Sequence, residues 1–393
     1  MPVLILLSAF LEGIALTLIQ GYLPLYVRES LGETRLLTVG LVVVVPAIGT
    51  MIASNFWGGL SDVSGRLKPL ILVGIAGYAV ALAGVPLFIK GSSVLLFVGA
   101  ASLLYGCLAP LLKAYATLHR PEQPQHALAW VLMAQSTGWL VGSLEGGRLM
   151  EEGIGSGLKT ALWVAAALVA AHFFLTLLML REQPRPPAVP RARVGWFAGV
   201  MQDLVVLYEN PRLLRLCAVA FFLYAGNYVV WGFFSIYFVE HLGASMRMLR
   251  YTLAVSAVFG LVMYVFVGPL VKRFGARVVL TVGMAGYAAM YVAMGAMQSP
   301  LATAIVFALP LYGLTNVSAN TLATEYSSVA QRGGGLGVLN GTIALSTMAG
   351  PLLGGALADR WGLGIIPWVA FWFLASALVG AVTLFRGNGR NGD

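Results

Sequence analysis

Residues 58–68 read Gly-Gly-Leu-Ser-Asp-Val-Ser-Gly-Arg-Leu-Lys, a basic, glycine-rich stretch between two long apolar runs. Residues 268–277 read Gly-Pro-Leu-Val-Lys-Arg-Phe-Gly-Ala-Arg and also lie between two apolar runs. The two stretches are 210 residues apart, a little over half the chain. A turn of this kind, occurring once in each half, predicts a duplicated membrane protein.

The composition indicates that lipid is the main surrounding of this chain. Of its 393 residues, 59% are hydrophobic and 10% are charged, whereas a soluble domain carries about 25% charged residues. Helices of roughly 20 apolar residues cross a membrane core of ~30 Å. We therefore predict an all-α membrane protein with twelve transmembrane helices, numbered 1 to 12 in chain order. They lie near residues 3–27, 37–60, 69–89, 93–118, 127–149, 159–180, 213–239, 248–271, 278–297, 301–325, 334–357 and 363–385.

The net charge of +9 reflects membrane topology and not nucleic-acid binding. With the N-terminus in the cytoplasm, the inner segments contain fifteen Lys and Arg residues and the outer segments contain eight. This bias obeys the positive-inside rule and predicts a multi-pass protein of the cell membrane with both termini in the cytoplasm. The first span carries Glu12 and has no basic residues before it, so we interpret it as a retained helix and not as a signal peptide.

Other similarities also recur at nearly the same spacing. The end of helix 1, at residues 26–32, is similar to the end of helix 7, at residues 237–243. Three glycines of helix 5 recur in helix 11. These pairs are Gly142 and Gly350, Gly146 and Gly354, and Gly147 and Gly355. We predict two pseudo-symmetric six-helix bundles, an N-terminal one over residues 1–180 and a C-terminal one over residues 213–393. An even number of spans in each half makes them parallel repeats.

The segment between the halves, residues 181–212, is the only long polar stretch. Its first part is basic and rich in proline, which predicts an extended cytoplasmic linker. Residues 195–208 then carry apolar side chains on one side of a short amphipathic helix, which we expect in the inner membrane interface.

The first loop resembles the hallmark of the major facilitator superfamily, Gly-x-Leu-x-Asp-x-x-Gly-Arg-x-Lys between helices 2 and 3. The matching residues are Gly58, Leu60, Asp62, Gly65, Arg66 and Lys68. The second copy, between helices 8 and 9, has Lys272 where the acid would stand. The resemblance covers essentially the whole chain. It implies a secondary transporter of the drug/H⁺ antiporter-like or sugar-transporter-like branch, with substrate bound between the halves near the midplane.

The resemblance also implies that the loop belongs to a cytoplasmic latch that holds the two halves in the outward-facing state. Gly58 and Gly65 predict close helix approach and a tight turn. Thr117 stands where the family often has an acid at the inner end of helix 4, whereas Glu325 occupies the equivalent place on helix 10. We therefore predict an asymmetric latch; a static loop that only sets topology is the alternative. The candidate latch residues are Gly58, Asp62, Gly65, Arg66, Lys68, Arg273, Arg277 and Glu325.

Glu12 is the candidate proton-coupling residue. It lies about nine residues into helix 1, or ~14 Å at 1.5 Å per residue, which is close to the middle of the membrane. Acids inside a span are costly and are functional candidates by default. Gln20 follows two turns later along the same face. The alternative is a buried glutamate that a neighbouring helix satisfies.

Two helices carry a polar and aromatic face that lipid would disfavour, on helix 7 at residues 224–231 and on helix 10 at residues 312–320. We expect these faces to meet the interior of a bundle or a cavity, although asparagines also join membrane helices to each other. Lys113 of helix 4 is a candidate anion site or partner for an acid. The predicted substrate-binding residues are Gln20, Lys113, Gln135, Tyr224, Asn227, Tyr228, Trp231, Tyr312, Asn316 and Asn320.

The glycines of helix 5 resemble part of an antiporter signature, Gly-x-x-x-Gly-Pro-x-x-Gly-Gly, with Ser143 in place of the proline. This supports export of apolar or amphipathic compounds, as in multidrug efflux, coupled to protons. Close packing of small residues would also explain the glycines. H⁺-coupled or facilitative uptake of a neutral polar solute, such as a sugar or nucleoside, is the alternative that the polar stripes favour. A non-transporting membrane sensor is a third hypothesis, and such a protein would usually append a soluble domain.

Several function classes are not expected. No Gly-x-x-x-x-Gly-Lys-Ser/Thr loop occurs, so ATP is not expected to drive transport. The four histidines, at positions 119, 126, 172 and 241, show no metal-ligand spacing. We expect no enzyme activity, no cofactor, no metal and no nucleic-acid partner. The expected partners of this monomeric transporter are a small-molecule substrate, protons and membrane lipids.

Overall fold

The structure is a computed structural model that describes residues 3–119, 122, 124–182, 210–327 and 332–386. In these residues twelve helices are long and apolar enough to cross a membrane, and no β-strand occurs. The prediction of an all-α protein with twelve transmembrane helices is thereby confirmed. The helices span Val3–Glu29, Leu36–Ser61, Lys68–Leu87, Gly91–His119, His126–Met150, Ile154–Met179, Pro211–His241, Met246–Phe274, Ala276–Ala296, Pro300–Tyr326, Gly334–Trp361 and Leu363–Leu384. Residues 183–209 are outside the described part of the chain. They include most of the predicted linker and all of its amphipathic helix.

Among the helices that the structure describes, three contain a wider π-helical turn. It occurs at Thr17–Tyr22 in helix 1, at Gly142–Gly146 in helix 5 and at Tyr237–His241 in helix 7. A π turn leaves carbonyl groups without their usual partner. Side chains of helix 1 bind two such carbonyls of helix 5: the Tyr22 hydroxyl donates to Ser143 O at 2.6 Å, and Thr17 Oγ1 donates to Trp139 O at 3.0 Å. The irregular parts of helices 1 and 5 are therefore joined by hydrogen bonds.

Packing divides the chain into two compact units. The described residues of the first unit lie within Met1–Ala192 and Ala244–Ala257. In this unit helix 1 packs closely on helix 5, because glycines let the two backbones approach. A β-carbon on Gly138 would overlap the carbonyl oxygen of Phe10, and one on Gly13 would lie 2.7 Å from the amide nitrogen of Trp139.

The described residues of the second unit lie within Arg193–Gly243 and Val258–Asp393. Here helix 7 packs on helices 11 and 12, and helix 9 packs on helices 10 and 12. A β-carbon on Gly350 of helix 11 would lie 3.0 Å from the amide nitrogen of Val229 in helix 7. A β-carbon on Gly142, the helix 5 counterpart of Gly350, would lie 3.1 Å from the Cα atom of Ile14 in helix 1, so this recurring pair performs the same packing role in each unit.

Candidate functional site

Glu12 is enclosed within the first unit, with 5% of its surface exposed. It lines a cavity of about 10 Å³, which is room for about one water molecule. Within the described part of the chain, no protein group forms a hydrogen bond or a close ion pair with its carboxyl group. The side chains that share the cavity come from helices 1, 3, 4 and 6. They are Ser8, Leu11, Ile75, Tyr78, Leu108, Val169 and His172.

Lys113 provides the opposite charge for this acid. It is half-buried on helix 4, and its ammonium group attracts the carboxylate of Glu12. Attraction to a nearby cation offsets part of the cost of burying a carboxylate. The two charged residues, which the sequence placed on separate helices, therefore lie within electrostatic range of each other.

The two predicted glutamines lie in different surroundings from Glu12. Gln20 belongs to the π turn of helix 1 and is exposed, although we expected it beside Glu12 on one face. Gln135 is half-buried on helix 5, and its backbone carbonyl is the group that a β-carbon on Gly13 would overlap. Gln135 therefore lies close to Glu12 along the interface of helices 1 and 5, whereas Gln20 does not share its enclosed position.

In the second unit, the polar faces of helices 7 and 10 meet. The Asn316 amide Nδ2 lies 3.4 Å from the hydroxyl oxygens of both Tyr224 and Tyr312. The rings of these tyrosines meet edge to face, with 6.5 Å between their centroids. Tyr224 is fully buried, whereas Tyr312 remains 44% exposed. This group therefore presents aromatic and hydrogen-bonding atoms at an accessible surface.

Two further tyrosines join this group, and the sequence analysis did not identify them. Tyr264 of helix 8 and Tyr287 of helix 9 lie within electrostatic range of the Tyr312 hydroxyl, as does the predicted Tyr228. Each is a tyrosine in a mainly aliphatic helix, so periodicity gives no signal for it. We call Tyr224, Tyr228, Tyr264, Tyr287 and Tyr312 the tyrosine cluster.

The remaining predicted residues of helices 7 and 10 contribute to packing. Asn227 accepts a hydrogen bond from the hydroxyl of Tyr291 on helix 9, and Asn320 Nδ2 donates to the carbonyl of Asn316 at 2.8 Å. Trp231 stacks on Phe307 of helix 10, with 6.1 Å between ring centroids. The contacts of Asn227 and Trp231 join helix 7 to helices 9 and 10, and Asn227 thus has the packing role that the sequence left open for asparagine, whereas the contact of Asn320 lies within helix 10.

The first loop forms a tight turn that the end of helix 6 stabilises. Gly65 has φ +64°, a conformation that favours glycine. The backbone N–H groups of Leu67 and Lys68 donate to the carboxylate of Glu182 at 2.8 and 3.2 Å. Lys68 Nζ donates to the carbonyl of Leu177 at 2.8 Å. Glu182 thus caps helix 3, and the sequence analysis missed this role because it assigned the residue to the linker.

Other parts of the predicted latch differ from the expectation. A β-carbon on Gly58 would meet no atom within 4 Å, so the close helix approach predicted there is wrong. The Arg66 side chain is exposed. The side chain of Asp62 lies outside the described residues.

The second loop also turns at a glycine with positive φ, but with a different ψ and different partners: ψ is 148° at Gly275 and 9° at Gly65. Gly275 has φ +83° and its N–H donates to Val271 O at 2.9 Å. The guanidinium of Arg273 lies 5.2 Å from the ring centroid of Phe274, and that of Arg277 lies 5.9 Å from the ring centroid of Tyr326. Glu325, next to Tyr326, is exposed. The two loops therefore share a glycine with positive φ, whereas the rest of the turn and the contacts of their basic residues differ.

Comparison with known proteins assigns the chain to a family. The family model described as MFS_1 like family matches residues 10–365. The chain belongs to the major facilitator superfamily. It is a multi-pass membrane protein and a secondary transporter whose substrate is a small molecule.

Relatives in sequence and solved structures of similar fold align with nearly the whole length of this chain. It is 27% identical over 371 residues to the multidrug resistance protein MdtG of Klebsiella pneumoniae strain 342, with 91% of this chain and 86% of that protein covered. The crystal structure of the nucleoside transporter NupG is similar in fold, with TM-score 0.80, 16% identity, and coverage of 98% and 99%. A D-xylose–proton symporter has TM-score 0.73 and 14% identity, with coverage of 98% and 96%.

The cap on helix 3 of this major facilitator protein can be tested directly. We expect Glu182→Ala to lower the free energy of unfolding by about 1 kcal/mol, because loss of a side-chain cap leaves helix N–H groups without an acceptor. Thermal unfolding of the purified protein measures this. Glu152→Ala removes an exposed glutamate between helices 5 and 6 and is the matched control. Equal melting temperatures for the two variants would contradict the capping role.

Proposed function

We propose that this transporter exports apolar or amphipathic organic compounds across the cell membrane in exchange for protons, by alternating access and without chemically changing them. It acts as a monomer with both termini in the cytoplasm. The tyrosine cluster of the second unit is the observation that carries this proposal. Aromatic faces bind flat rings and organic cations, and the phenol groups with Asn316 add hydrogen bonds without a formal charge.

The relatives support the same substrate class. The MdtG proteins of Klebsiella pneumoniae and Salmonella typhi are named multidrug resistance proteins, and each is 27% identical to this chain. Efflux of chemically different compounds requires a surface that makes few specific polar contacts. The exposed face of Tyr312 and its neighbours meets this requirement.

Proton coupling is assigned to the first unit. Glu12 is a buried acid within electrostatic range of Lys113, a cation on another helix. A carboxyl group that changes partner between a proton and a cation can link proton binding to conformational change. In this proposal Glu12 carries the proton and the tyrosine cluster contacts the solute.

The exposed tyrosine gives the sharpest test of substrate contact. We expect Tyr312→Ala to weaken the binding of a lipophilic cation such as tetraphenylphosphonium about tenfold, because it removes an accessible aromatic face. Isothermal titration calorimetry on the purified protein measures the dissociation constant. Phe174→Ala removes an aromatic side chain of 60% exposure in the first unit and serves as the control. An unchanged dissociation constant in Tyr312→Ala would exclude this residue from the binding surface.

Uptake of a neutral polar solute is the second candidate, and one observation favours it. Asn316 Nδ2 lies 3.4 Å from two tyrosine hydroxyls, which is long for a hydrogen bond. Sugar or nucleoside hydroxyls could replace these contacts. A melting screen of the purified protein with nucleosides, sugars and lipophilic cations separates the two candidates, since export predicts stabilisation by the cations alone. Counterflow of a stabilising ligand in liposomes distinguishes a transporter from a sensor.

A further inference from the structure

Helix 8 belongs to both compact units. It is one unbroken α-helix from Met246 to Phe274, yet its residues up to Ala257 pack with the first unit and those from Val258 pack with the second. Its most apolar 18-residue stretch has 11% of its residues buried, the lowest share among the twelve described spans. Helix 8 is thus loosely packed, so a small number of contacts decides where its first turns are held.

The first turns of helix 8 contact the end of helix 5. Gly147 makes room for Arg250, because a β-carbon on this glycine would overlap the β-carbon of Arg250 and lie 2.7 Å from the Tyr22 hydroxyl oxygen. The same Tyr22 hydroxyl donates to the carbonyl of Ser143 in the π turn of helix 5. Arg250 therefore lies at the point where helices 1 and 5 are already joined.

Glu151, one turn after Gly147, pairs with two arginines of helix 8. Its Oε1 atom lies 3.0 Å from Arg250 Nε, and its Oε2 atom lies 3.4 Å from Arg247 Nη2. The side chains of Glu151 and Arg250 are 22% and 12% exposed, whereas that of Arg247 is 71% exposed. Solvent and salt screen the pair with Arg247, so the partly buried pair with Arg250 makes the stronger contact.

The pair of Glu151 and Arg250 is short but poorly directed. Glu151 Oε1 and Arg250 Nε are both buried, and in the part of the chain that the structure describes neither atom forms a hydrogen bond. At a separation of 3.0 Å, direction and not distance prevents the bond. Buried polar atoms without a hydrogen bond cost free energy. The contact therefore holds helix 8 with less than its full strength, which suits a contact that has to open.

We infer that Glu151 and Arg250 form a releasable lock, which holds the first turns of helix 8 on helix 5 and opens once in each transport cycle. Alternating access moves one repeat largely as a rigid body against the other. An unbroken helix that is attached to both bodies cannot follow both, so one attachment has to release. This inference rests on the alternating access of the proposed function.

The attachment of helix 8 in the second unit is the one that stays. Met263 packs on helix 10, where a β-carbon on Gly313 would lie 3.2 Å from Met263 Cγ. Tyr264 belongs to the tyrosine cluster, the proposed surface for the solute. Release at this end would take apart the solute surface, whereas release at Glu151 leaves it intact. The lock is therefore placed at the first turns of helix 8.

The experiment joins the two sides of the lock covalently. Glu151→Cys and Arg250→Cys are introduced together, and a short bis-methanethiosulfonate reagent links the two thiols; the native Cys107 and Cys217 are buried. Counterflow of tetraphenylphosphonium in liposomes is measured before linking, after linking and after reduction. We expect linking to slow counterflow by at least about tenfold, because helix 8 can no longer release and this conformational step limits turnover. Reduction is expected to restore the rate.

A pair of residues within helix 5 provides the control. Glu145→Cys and Arg148→Cys replace an ion pair on one helix, and linking them is expected to leave counterflow unchanged. Counterflow that continues at the unlinked rate when positions 151 and 250 are linked overturns the lock, and the proposed function stands. If the wild-type protein shows no counterflow of the probe, the proposed function fails, and the lock that rests on it fails with it.

Hydrogen exchange tests the lock without cysteines, in case the double variant loses its fold. Glu151→Gln leaves Arg250 partly buried without its close charge partner. We expect the backbone amides of residues 246–257 to exchange about tenfold faster than in the wild type, because local opening of this segment becomes easier. Glu145→Gln is expected to exchange as the wild type does. Equal exchange of residues 246–257 in Glu151→Gln and the wild type overturns the inference.

Discussion

Glu12→Gln is expected to abolish solute transport driven by a pH gradient while leaving counterflow of the same solute intact. Glutamine has nearly the same size as glutamate and cannot release a proton, so it removes the coupling step without removing volume from the cavity. Transport is measured with purified protein in liposomes, with and without an imposed pH gradient. We expect driven flux to fall by about 100-fold.

A second acid within a span provides the control for this experiment. Glu145 of helix 5 is exposed and forms an ion pair with Arg148, with 3.2 Å between Oε2 and Nε. Glu145→Gln should therefore leave driven flux close to the wild-type rate. Driven flux that survives in Glu12→Gln, or that falls equally in both variants, would remove Glu12 from the mechanism.

Gly138→Val is expected to destabilise the protein strongly. A β-carbon at this position would overlap the Phe10 carbonyl oxygen. Because that oxygen belongs to the backbone of helix 1, no side-chain rotation relieves the overlap, and helices 1 and 5 would have to separate. Overpacking in a tightly packed interior costs about 1–3 kcal/mol or more. Thermal unfolding and the yield of monodisperse protein in detergent measure the loss.

Gly260→Val is the matched control, because a β-carbon on this glycine of helix 8 would meet no atom within 4 Å. Both substitutions place a β-branched residue in a helix, so the difference between them isolates the contact with Phe10. If the two variants unfold at the same temperature, the close approach of helices 1 and 5 at Gly138 is wrong.

The helical spans could be predicted from composition because lipid imposes one simple pattern on them. Helix 5, predicted at residues 127–149, spans His126–Met150. The largest error at a helix start is in helix 6, which begins at Ile154 although we placed its start at residue 159. Gly155 and Gly157 favour a loop by propensity. A β-carbon on Gly157 would overlap the Leu149 carbonyl, so tertiary packing retains this glycine inside the helix.

The π turns could not be predicted from the sequence. Residues 17–22 read Thr-Leu-Ile-Gln-Gly-Tyr and contain nothing that distinguishes a π turn from an α-helix. Tyr22 of helix 1 donates to a carbonyl of the π turn in helix 5, that of Ser143, and Thr17 donates to the carbonyl of Trp139, three residues before that turn. Such partners become known only when the packing of helix 1 on helix 5 is known.

The candidate site could be predicted in part. Tyr224, Tyr312 and Asn316 were identified because they repeat with helical periodicity on single helices, and the structure brings them together. His172 and Glu182 were missed because their importance depends on which other helix they face. His172 lies in a mainly apolar helix, and only the packing of helix 6 on helix 1 shows its contact with Ser8.

The central claim is that solute binding and proton release are linked through Glu12. It is tested most directly by measuring proton release when tetraphenylphosphonium binds to purified protein in weakly buffered solution, with a pH indicator dye as the readout. Wild-type protein is expected to release protons on binding, and Glu12→Gln is expected to bind the probe and release none. Equal proton release from both proteins, or none from the wild type on binding, would contradict the account.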